Sequence, residues 1–404
     1  MRTVSASRVH GRAFFLTLLF LLVARPPLQA QDVVLTVGTP ADVGMSSAIL
    51  DGAVQLYRDA VDSGDLVGAV LLVAKDGKVV LHEALGWRHK GRGLPMEQNT
   101  MLRMASNTKP PVATGISILV EEGKLGYEDP VREHIPSFDN YRAGFIQIKH
   151  LLTHTSGFRI NSLFLMPYME PSPEHPDAPT LQLEAARFGE VGAEVLPGTS
   201  YSYSNPGYNT LGALIEMASG QPLEEFLDQR IYSPLGMDDS YHHEVAEKLD
   251  GKLERMGAVH YERDSTTGEW IPDWEPGDPP QVPFVRASGG MISTAMDYAV
   301  FCQMYLNGGV YDGVRIISEE TVKTMTSPFF LAGGGAEPDR GVRIDYGYGW
   351  RVDQDGTFSH TGSDGTGAWV DPNHDLIVLV FTQTPGGRNP RGKFVELVRS
   401  AIMD

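Results

Sequence analysis

The sequence is poor in cysteine and in positive charge. Cys302 is the only cysteine among 404 residues, so an intramolecular disulfide and a multi-thiolate zinc site are both excluded. Lysine and arginine number 33 against 51 aspartates and glutamates, which gives a formal net charge of −18. No basic stripe interrupts this excess, and a chain of that charge repels a phosphate backbone. We therefore expect no nucleic-acid partner.

Long apolar runs are also scarce. The main candidate is Ala13–Ala24, which follows three arginines and is too short to cross about 30 Å of hydrocarbon as a helix. A basic start, a short apolar centre and a small residue at Ala30 are typical of a secretory signal peptide. We predict a signal peptide over residues 1–30, a periplasmic or secreted domain over 31–404, and no stable membrane span after cleavage.

Two common site signatures are missing. The Gly-x-Ser-x-Gly nucleophile motif of α/β-hydrolases does not occur. His150 and His154 have a spacing that could bind a metal on a helix, but the His-Glu-x-x-His pattern is absent. We expect no metal and no cofactor.

Strand-like segments lie near both ends of the chain, and helical patterns fill the middle. Val67–Val73 and Val79–Leu85 flank an Asp-Gly turn, which is typical of a β-hairpin, and apolar strands return near the C-terminus. This order indicates an α+β fold in which helices pack on an antiparallel sheet formed from both chain ends. The sheet region is predicted over about 40–100 and 288–404, and a mostly helical region over about 101–287.

Two long Pro-rich, aromatic stretches interrupt the middle of the chain, Phe158–Ser200 and Tyr261–Val285. Loops of that length are usually lids or binding loops. Within them, Leu163–Tyr168 and Trp270–Phe284 are rich in apolar side chains, and we expect both segments to form walls of a substrate site.

Ser106-x-x-Lys109 is the first pattern that can carry chemistry. A helix is predicted from about 107 to 122, and residues three apart lie on one helix face. A lysine one turn from a serine can polarise the hydroxyl as an ammonium or deprotonate it as a neutral amine. A capping serine beside a solvated lysine is the alternative. Ser106 is the candidate nucleophile.

Tyr203-x-Asn205 is the second pattern, in a Ser/Pro/Gly-rich turn before a helical segment. A phenol near a lysine ammonium has a lowered pKa and can accept a proton from serine. Asn205 offers donors and an acceptor to an amide or ester. Tyr305-x-Asn307 also matches, but it ends a helix beside two glycines, so we interpret it as a packing residue and a cap.

His360-Thr361-Gly362 is the third pattern and ends a predicted strand. A glycine at a strand edge lets a backbone N–H approach a substrate carbonyl as half of an oxyanion hole. A Gly-rich hairpin turn is the alternative interpretation. Asp364, which follows shortly after, is interpreted as a turn residue.

Together the three patterns resemble those of the serine β-lactamase and penicillin-recognising superfamily, above all its class C β-lactamase-like branch, which includes the family VIII esterases. The resemblance covers about residues 40–404 and implies a β-lactamase-like fold with flanking helices and a helical insertion domain. The matching segments are Met104–Pro110, Leu119–Leu125, Ile148–Gly157, Tyr203–Tyr208, Ser288–Thr294, Tyr346–Trp350 and Trp369–Pro372.

The resemblance also implies a role for each motif residue. Ser106 would be the acylated nucleophile, Lys109 its electrostatic and proton-relay partner, and Tyr203 the general base. Asn205 would orient the substrate. The backbone N–H groups of Ser106 and Ser363 would form the oxyanion hole.

The third motif departs from the family pattern. Penicillin-recognising enzymes usually have a lysine where this chain has His360, and that lysine helps to hold an anionic substrate. His360, Thr361 and Gly362 are expected to bind substrate, and esterase-like members tolerate such changes. The sequence therefore predicts an exported serine hydrolase that acts through an acyl-enzyme, a carboxylesterase on small neutral esters.

Several alternatives remain open at this point. They are a class C-type β-lactamase, a D-amino acid peptidase or DD-carboxypeptidase, an acyltransferase, and a non-catalytic sensor of the penicillin-binding type. In each case the partner is a small ester or amide, and the sequence makes no prediction of the oligomeric state.

Overall fold

The computed structural model describes residues 32–158, 167–242, 249, 251–280, 282–332 and 341–403. The predicted signal peptide and most of Leu163–Tyr168 lie outside these ranges. The strands are β1 (Thr36–Val37), β2 (Gly68–Lys75), β3 (Lys78–His89), β4 (Leu94–Pro95), β5 (Leu102–Arg103), β6 (Glu262–Arg263), β7 (Trp270–Ile271), β8 (Ile292–Ser293), β9 (Val310–Tyr311), β10 (Val314–Arg315), β11 (Phe330–Leu331), β12 (Val342–Arg343), β13 (Arg351–Val352), β14 (Phe358–Thr361), β15 (Thr366–Asp371) and β16 (Leu376–Thr382). The α-helices are α1 (Ser47–Asp62), α2 (Lys109–Glu121), α3 (Ile148–Leu152), α4 (Leu181–Val191), α5 (Asn205–Ser219), α6 (Leu223–Leu227), α7 (Ala295–Leu306), α8 (Glu319–Met325) and α9 (Arg391–Ser400).

The largest sheet joins strands from the two ends of the described chain. Its order is β1-β3-β2-β16-β15-β14-β13, with β4 paired to β3. β1 runs parallel to β3, and the other neighbours are antiparallel. β2 and β16 pair in the middle, where Val73 lies opposite Val378. The predicted α+β fold, with an antiparallel sheet built from both chain ends, is confirmed.

Side-chain alternation along β2 explains why the sheet is covered on both faces. Successive residues of a strand point to opposite sides, so Val70 enters one core and Leu71 the other. α1 and α9 cover one face, where the rings of Tyr57 and Phe394 meet edge to face at 5.4 Å. The larger core on the other face includes α2, α5 and α7, and the candidate site residues Lys109 and Asn205 begin α2 and α5.

Capping side chains set the start of α1 and α7. The side chain of Ser46 accepts the N–H of Ile49, and the side chain of Thr294 accepts the N–H of Asp297. α7 carries Cys302, which is completely buried, and burial raises the pKa of its thiol. Across the described ranges, no helix combines the length and the apolar character needed to cross a bilayer.

Candidate active site

The Ser106-x-x-Lys109 pattern lies where a tight turn enters α2. Ala105–Thr108 form a 3₁₀ turn and α2 begins at Lys109, so the helix starts slightly later than predicted. Ala105 has a φ of +45°, in the left-handed region that alanine seldom adopts. From Met101 to Leu119, every residue except Ser106 is buried. The turn therefore presents the Ser106 side chain at the start of a buried helix.

Lys109 is fully buried and lies against Ser106. Its Nζ is 3.1 Å from Ser106 Oγ, 2.9 Å from Asn205 Oδ1 at the start of α5, and 2.8 Å from the carbonyl oxygen of Ser288. Burial, and secondarily the charge of Arg286, hold the pKa of Lys109 well below its usual value of 10.5. The alternative of a solvated lysine is therefore excluded.

The three contacts of Lys109 are with acceptor atoms. Its Nζ donates to Ser106 Oγ, to Asn205 Oδ1 and to the carbonyl oxygen of Ser288. An amide oxygen and a backbone carbonyl can only accept hydrogen bonds, whereas a serine hydroxyl can also donate, so the contact with Ser106 is the one that can reverse when Lys109 is a neutral amine.

The ring of Tyr203 lies beside the side-chain nitrogen of Lys109. The Nζ of Lys109 is 4.7 Å from the centroid of the Tyr203 ring, and Ser106 is a hydrogen-bond partner of the Tyr203 hydroxyl. Although 38% of Tyr203 is exposed, the protein groups that surround its hydroxyl raise the pKa of Tyr203. The expected lowering of this pKa is wrong, because Lys109 faces the ring rather than acting as a cation beside the oxygen.

His154 supports Tyr203 and was not found by sequence reasoning. The two rings pack together with their centroids 4.2 Å apart and their planes tilted by 35°, and His154 Nδ1 accepts the N–H of Ser204 at 3.0 Å. The residue has a φ of +58° and is almost completely buried. His150 Nδ1 instead accepts the N–H of Gln147 at 3.1 Å, so the two histidines have separate backbone partners. The spacing of His150 and His154 does not predict the contact between the His154 and Tyr203 rings.

His360, which is expected to bind substrate, is buried and has a protein partner at each ring nitrogen. It is only 6% exposed, its Nε2 is 3.0 Å from the hydroxyl of Tyr346, and its Nδ1 is 3.0 Å from the carbonyl oxygen of Thr361. Burial, and secondarily the charge of Lys109, lower the pKa of His360 to about 3. The physical reason is strand alternation, because His360 shares its face of β14 with the core residue Phe358.

The residues after His360 do reach the nucleophile turn. Thr361 is exposed, whereas a Cβ added to Gly362 would lie 2.3 Å from the carbonyl oxygen of Met104, so glycine is needed for this close approach. Ser106 in the 3₁₀ turn and Ser363, two residues after β14, therefore lie on two chain segments that are in close contact.

The Pro-rich stretch after Tyr261 also differs from expectation. The Trp270 indole donates to the carbonyl oxygen of Gly64, and the ring of Trp274 lies 4.9 Å from the guanidinium carbon of Arg103. Both tryptophans are buried, so neither forms an open apolar wall. Asp364 is more than a turn residue, because its side chain is a buried ion-pair partner of Arg103.

Comparison with known proteins agrees with this fold and these motifs. Residues 53–399 match the Beta-lactamase family. Protein Rv1367c of Mycobacterium tuberculosis is 30% identical over 373 residues, which cover 83% of this chain and 90% of that protein.

Two solved structures share the fold. One is a family VIII carboxylesterase, with a TM-score of 0.68 and 20% identity over 89% of this chain and 99% of that one. The other is the D-amino acid amidase of Ochrobactrum anthropi, with a TM-score of 0.65 and 24% identity over 87% of this chain and 98% of that one. The match to the family spans most of the chain, and the chain therefore belongs to the Beta-lactamase family, as a serine hydrolase of the β-lactamase and penicillin-recognising superfamily.

Proposed function

We propose that this protein is a carboxylesterase that cleaves small, uncharged esters through an acyl-enzyme on Ser106. The observation that carries the proposal is the contact of Ser106 Oγ with Lys109 Nζ, in a site where burial favours the neutral amine. A neutral amine within hydrogen-bonding distance of a serine hydroxyl can act as its general base.

In the proposed acylation, Lys109 takes the proton of Ser106 while Oγ attacks the ester carbon. The N–H groups of Ser106 and Ser363 stabilise the resulting oxyanion. Because the raised pKa of Tyr203 keeps its phenol protonated, Tyr203 acts as a proton donor to the leaving alkoxide and then recovers a proton from Lys109. Asn205 holds Lys109 and faces the substrate. Water then attacks the acyl group and releases the acid.

The preference for neutral substrates follows from His360. A lysine at this position would supply an ammonium for a substrate carboxylate, whereas His360 is neutral and both of its ring nitrogens have protein partners. An acidic chain gives no general attraction for carboxylates either.

A second candidate function is the cleavage of D-amino acid amides or peptides. The charge of Arg286 acts on Lys109 and lowers its pKa, and the same positive charge would attract a substrate carboxylate toward Ser106. The D-amino acid amidase shares the fold, although at 24% identity.

A substrate panel tests these proposals. We expect p-nitrophenyl acetate and butyrate to be cleaved with a higher kcat/KM than nitrocefin or a D-alanyl-D-alanine peptide. Faster cleavage of nitrocefin or of the peptide would refute the esterase proposal. Added alcohol distinguishes hydrolysis from acyl transfer, because a transferase would form a new ester.

A fluorophosphonate probe tests the nucleophile. We expect labelling at Ser106 alone and none in Ser106→Ala, with unchanged circular dichroism. Stoichiometric labelling at another residue would contradict the assignment of Ser106. The prediction of export is tested separately, by cell fractionation and by the N-terminal sequence of the mature protein.

A further inference from the structure

A buried ion pair joins the two chain segments that carry the candidate oxyanion N–H groups. Arg103 Nε lies 3.2 Å from Asp364 Oδ2, and their side chains are only 6% and 4% exposed. Arg103 precedes Ser106 by three residues, and Asp364 directly follows Ser363. The distance between the N–H groups of Ser106 and Ser363 therefore depends on how these segments are held together.

Gln383 ties the same two segments to the end of the sheet. Its Oε1 accepts the N–H of Arg103 at 3.1 Å, and its Nε2 lies 3.3 Å from the carbonyl oxygen of Arg103 and 3.4 Å from that of Asp364. Since Gln383 directly follows β16, the backbones of both ion-pair residues are tied to the end of this strand.

The same carboxylate also binds the Pro-rich loop and the oxyanion turn itself. Asp364 Oδ1 accepts the hydroxyl of Tyr261 at 2.7 Å and the hydroxyl of Ser363 at 3.1 Å. Burial and the charge of Asp364 raise the pKa of Tyr261, so its phenol remains a donor. On the other side, Trp274 covers the guanidinium of Arg103.

We propose that Asp364 is a positioning residue, which holds the Ser363 N–H at the distance from Ser106 that an oxyanion needs. A buried ion pair is often no more stabilising than an apolar pair of similar volume. Oxyanion donors, in contrast, act only when they lie about 2.7–3.1 Å from the developing charge. The inference rests on the proposed acyl-enzyme function and assigns the geometry of that site to a residue outside the three motifs.

The main test is Asp364→Asn, which keeps the shape and an acceptor oxygen but removes the charge that faces Arg103. We expect kcat for p-nitrophenyl acetate to fall by about 10 to 100-fold, less than the ~10²–10³-fold loss of a whole oxyanion donor. KM should change by no more than about twofold, since the interaction matters in the transition state. A boronic acid that forms a tetrahedral adduct on Ser106 should bind more weakly by the same factor as kcat/KM falls.

Three further variants separate positioning from stability. Asp364→Asn alone leaves the buried charge of Arg103 without its carboxylate and should lower the melting temperature. The double variant Arg103→Met with Asp364→Asn removes both charges, so its melting temperature should return toward that of the parent while kcat remains low. Tyr261→Phe removes a single hydrogen bond and should give a smaller loss of about 3 to 10-fold with the same boronate dependence. As a matched control, Asp239→Asn breaks the Arg255–Asp239 pair, which is joined at 2.6 Å elsewhere in the chain, and should leave kcat unchanged.

The outcomes that would overturn the proposal are specific. One is an unchanged kcat in Asp364→Asn. Another is a loss of kcat that is fully explained by a smaller fraction of protein whose Ser106 reacts with the fluorophosphonate probe. The third is recovery of kcat in the double variant. If Asp364→Asn does not fold, Tyr261→Phe decides by the same boronate comparison. The rate of fluorophosphonate labelling of Ser106 needs no ester substrate, so it tests positioning even if esters are not the substrate. A parent protein that is not labelled at Ser106 would instead refute the proposed function and this inference with it.

Discussion

Lys109 and His360 lie close to the Ser106 turn on two different elements, and burial lowers the pKa of both side chains. Lys109 lies at the start of α2 with its Nζ against Ser106, Asn205 and Ser288. His360 lies on β14 and turns its ring to Tyr346. The lysine therefore contacts the proposed nucleophile, whereas both ring nitrogens of the histidine are held by Tyr346 and Thr361. Two buried basic residues thus differ in whether their nitrogen meets the reactive hydroxyl or other protein groups.

The largest expected effect tests the reactive side of this comparison. Lys109→Ala and Tyr203→Phe should each lower kcat by at least ~10²-fold, because both remove a group that transfers protons. If the two act as a unit, the double variant should be no worse than the poorer single variant. Steady-state kinetics with p-nitrophenyl acetate measure this, and losses that multiply in full would contradict a shared role.

The next effect tests the structural side. His360→Lys places an ammonium in the core beside Tyr346, and we expect the free energy of unfolding to fall by about 3 kcal/mol. If the ammonium reaches the site, it should form one charge-assisted hydrogen bond with the carboxylate of nitrocefin. We then expect the ratio of kcat/KM for nitrocefin to kcat/KM for the ester to rise about tenfold. Urea unfolding and paired kinetics measure both effects. Full stability in this variant would show that position 360 is open to solvent, and an unchanged ratio would show that loops alone set the preference.

The pH dependence of stability tests the burial of His360. The pKa of His360 is about 3 in the folded chain and about 6.5 in the unfolded chain. Between these pH values the unfolded chain binds one more proton, so the free energy of unfolding falls as the pH falls. Between about pH 6.5 and 4 this amounts to about 3 kcal/mol, which His360→Gln should remove. Parallel profiles for the parent and His360→Gln would contradict the buried neutral histidine.

The smallest effect concerns the pH profile of the reaction. Arg286 lowers the pKa of Lys109, so Arg286→Gln should raise it and move the acid limb of kcat/KM to higher pH by a fraction of a unit. A shift to lower pH would contradict Lys109 as the base. If Arg286 also binds a substrate carboxylate, this variant should raise KM for a D-amino acid peptide but not for a neutral ester.

The sheet and the Ser106–Lys109 contact could be predicted because they depend on local periodicity. An apolar run beside an Asp-Gly turn forms β2 and β3, and residues three apart at a helix start lie on one face. The burial of His360 could also be predicted, since His360 and Phe358 are two residues apart in β14 and point to the same face of the sheet. The expectation of a substrate contact came from the motif and not from that alternation, and it stays a prediction.

The remaining site contacts could not be predicted from local patterns. The Arg103–Asp364 pair joins residues that are 261 positions apart in sequence, and nothing near either residue indicates the other. The pKa values of Lys109 and Tyr203 depend on how many protein groups surround each side chain. Such enclosure results from tertiary packing, which spacing alone does not specify.

The buried Cys302 makes this protein well suited to site-specific labelling. Its thiol is inaccessible and its raised pKa leaves little of the nucleophilic thiolate, so maleimide reagents should not modify the native chain. A single cysteine introduced at an exposed position of the Pro-rich loop, for example Ile271→Cys, would then carry a fluorophore without background. The movement of that loop during turnover could be followed in real time without first removing a native thiol.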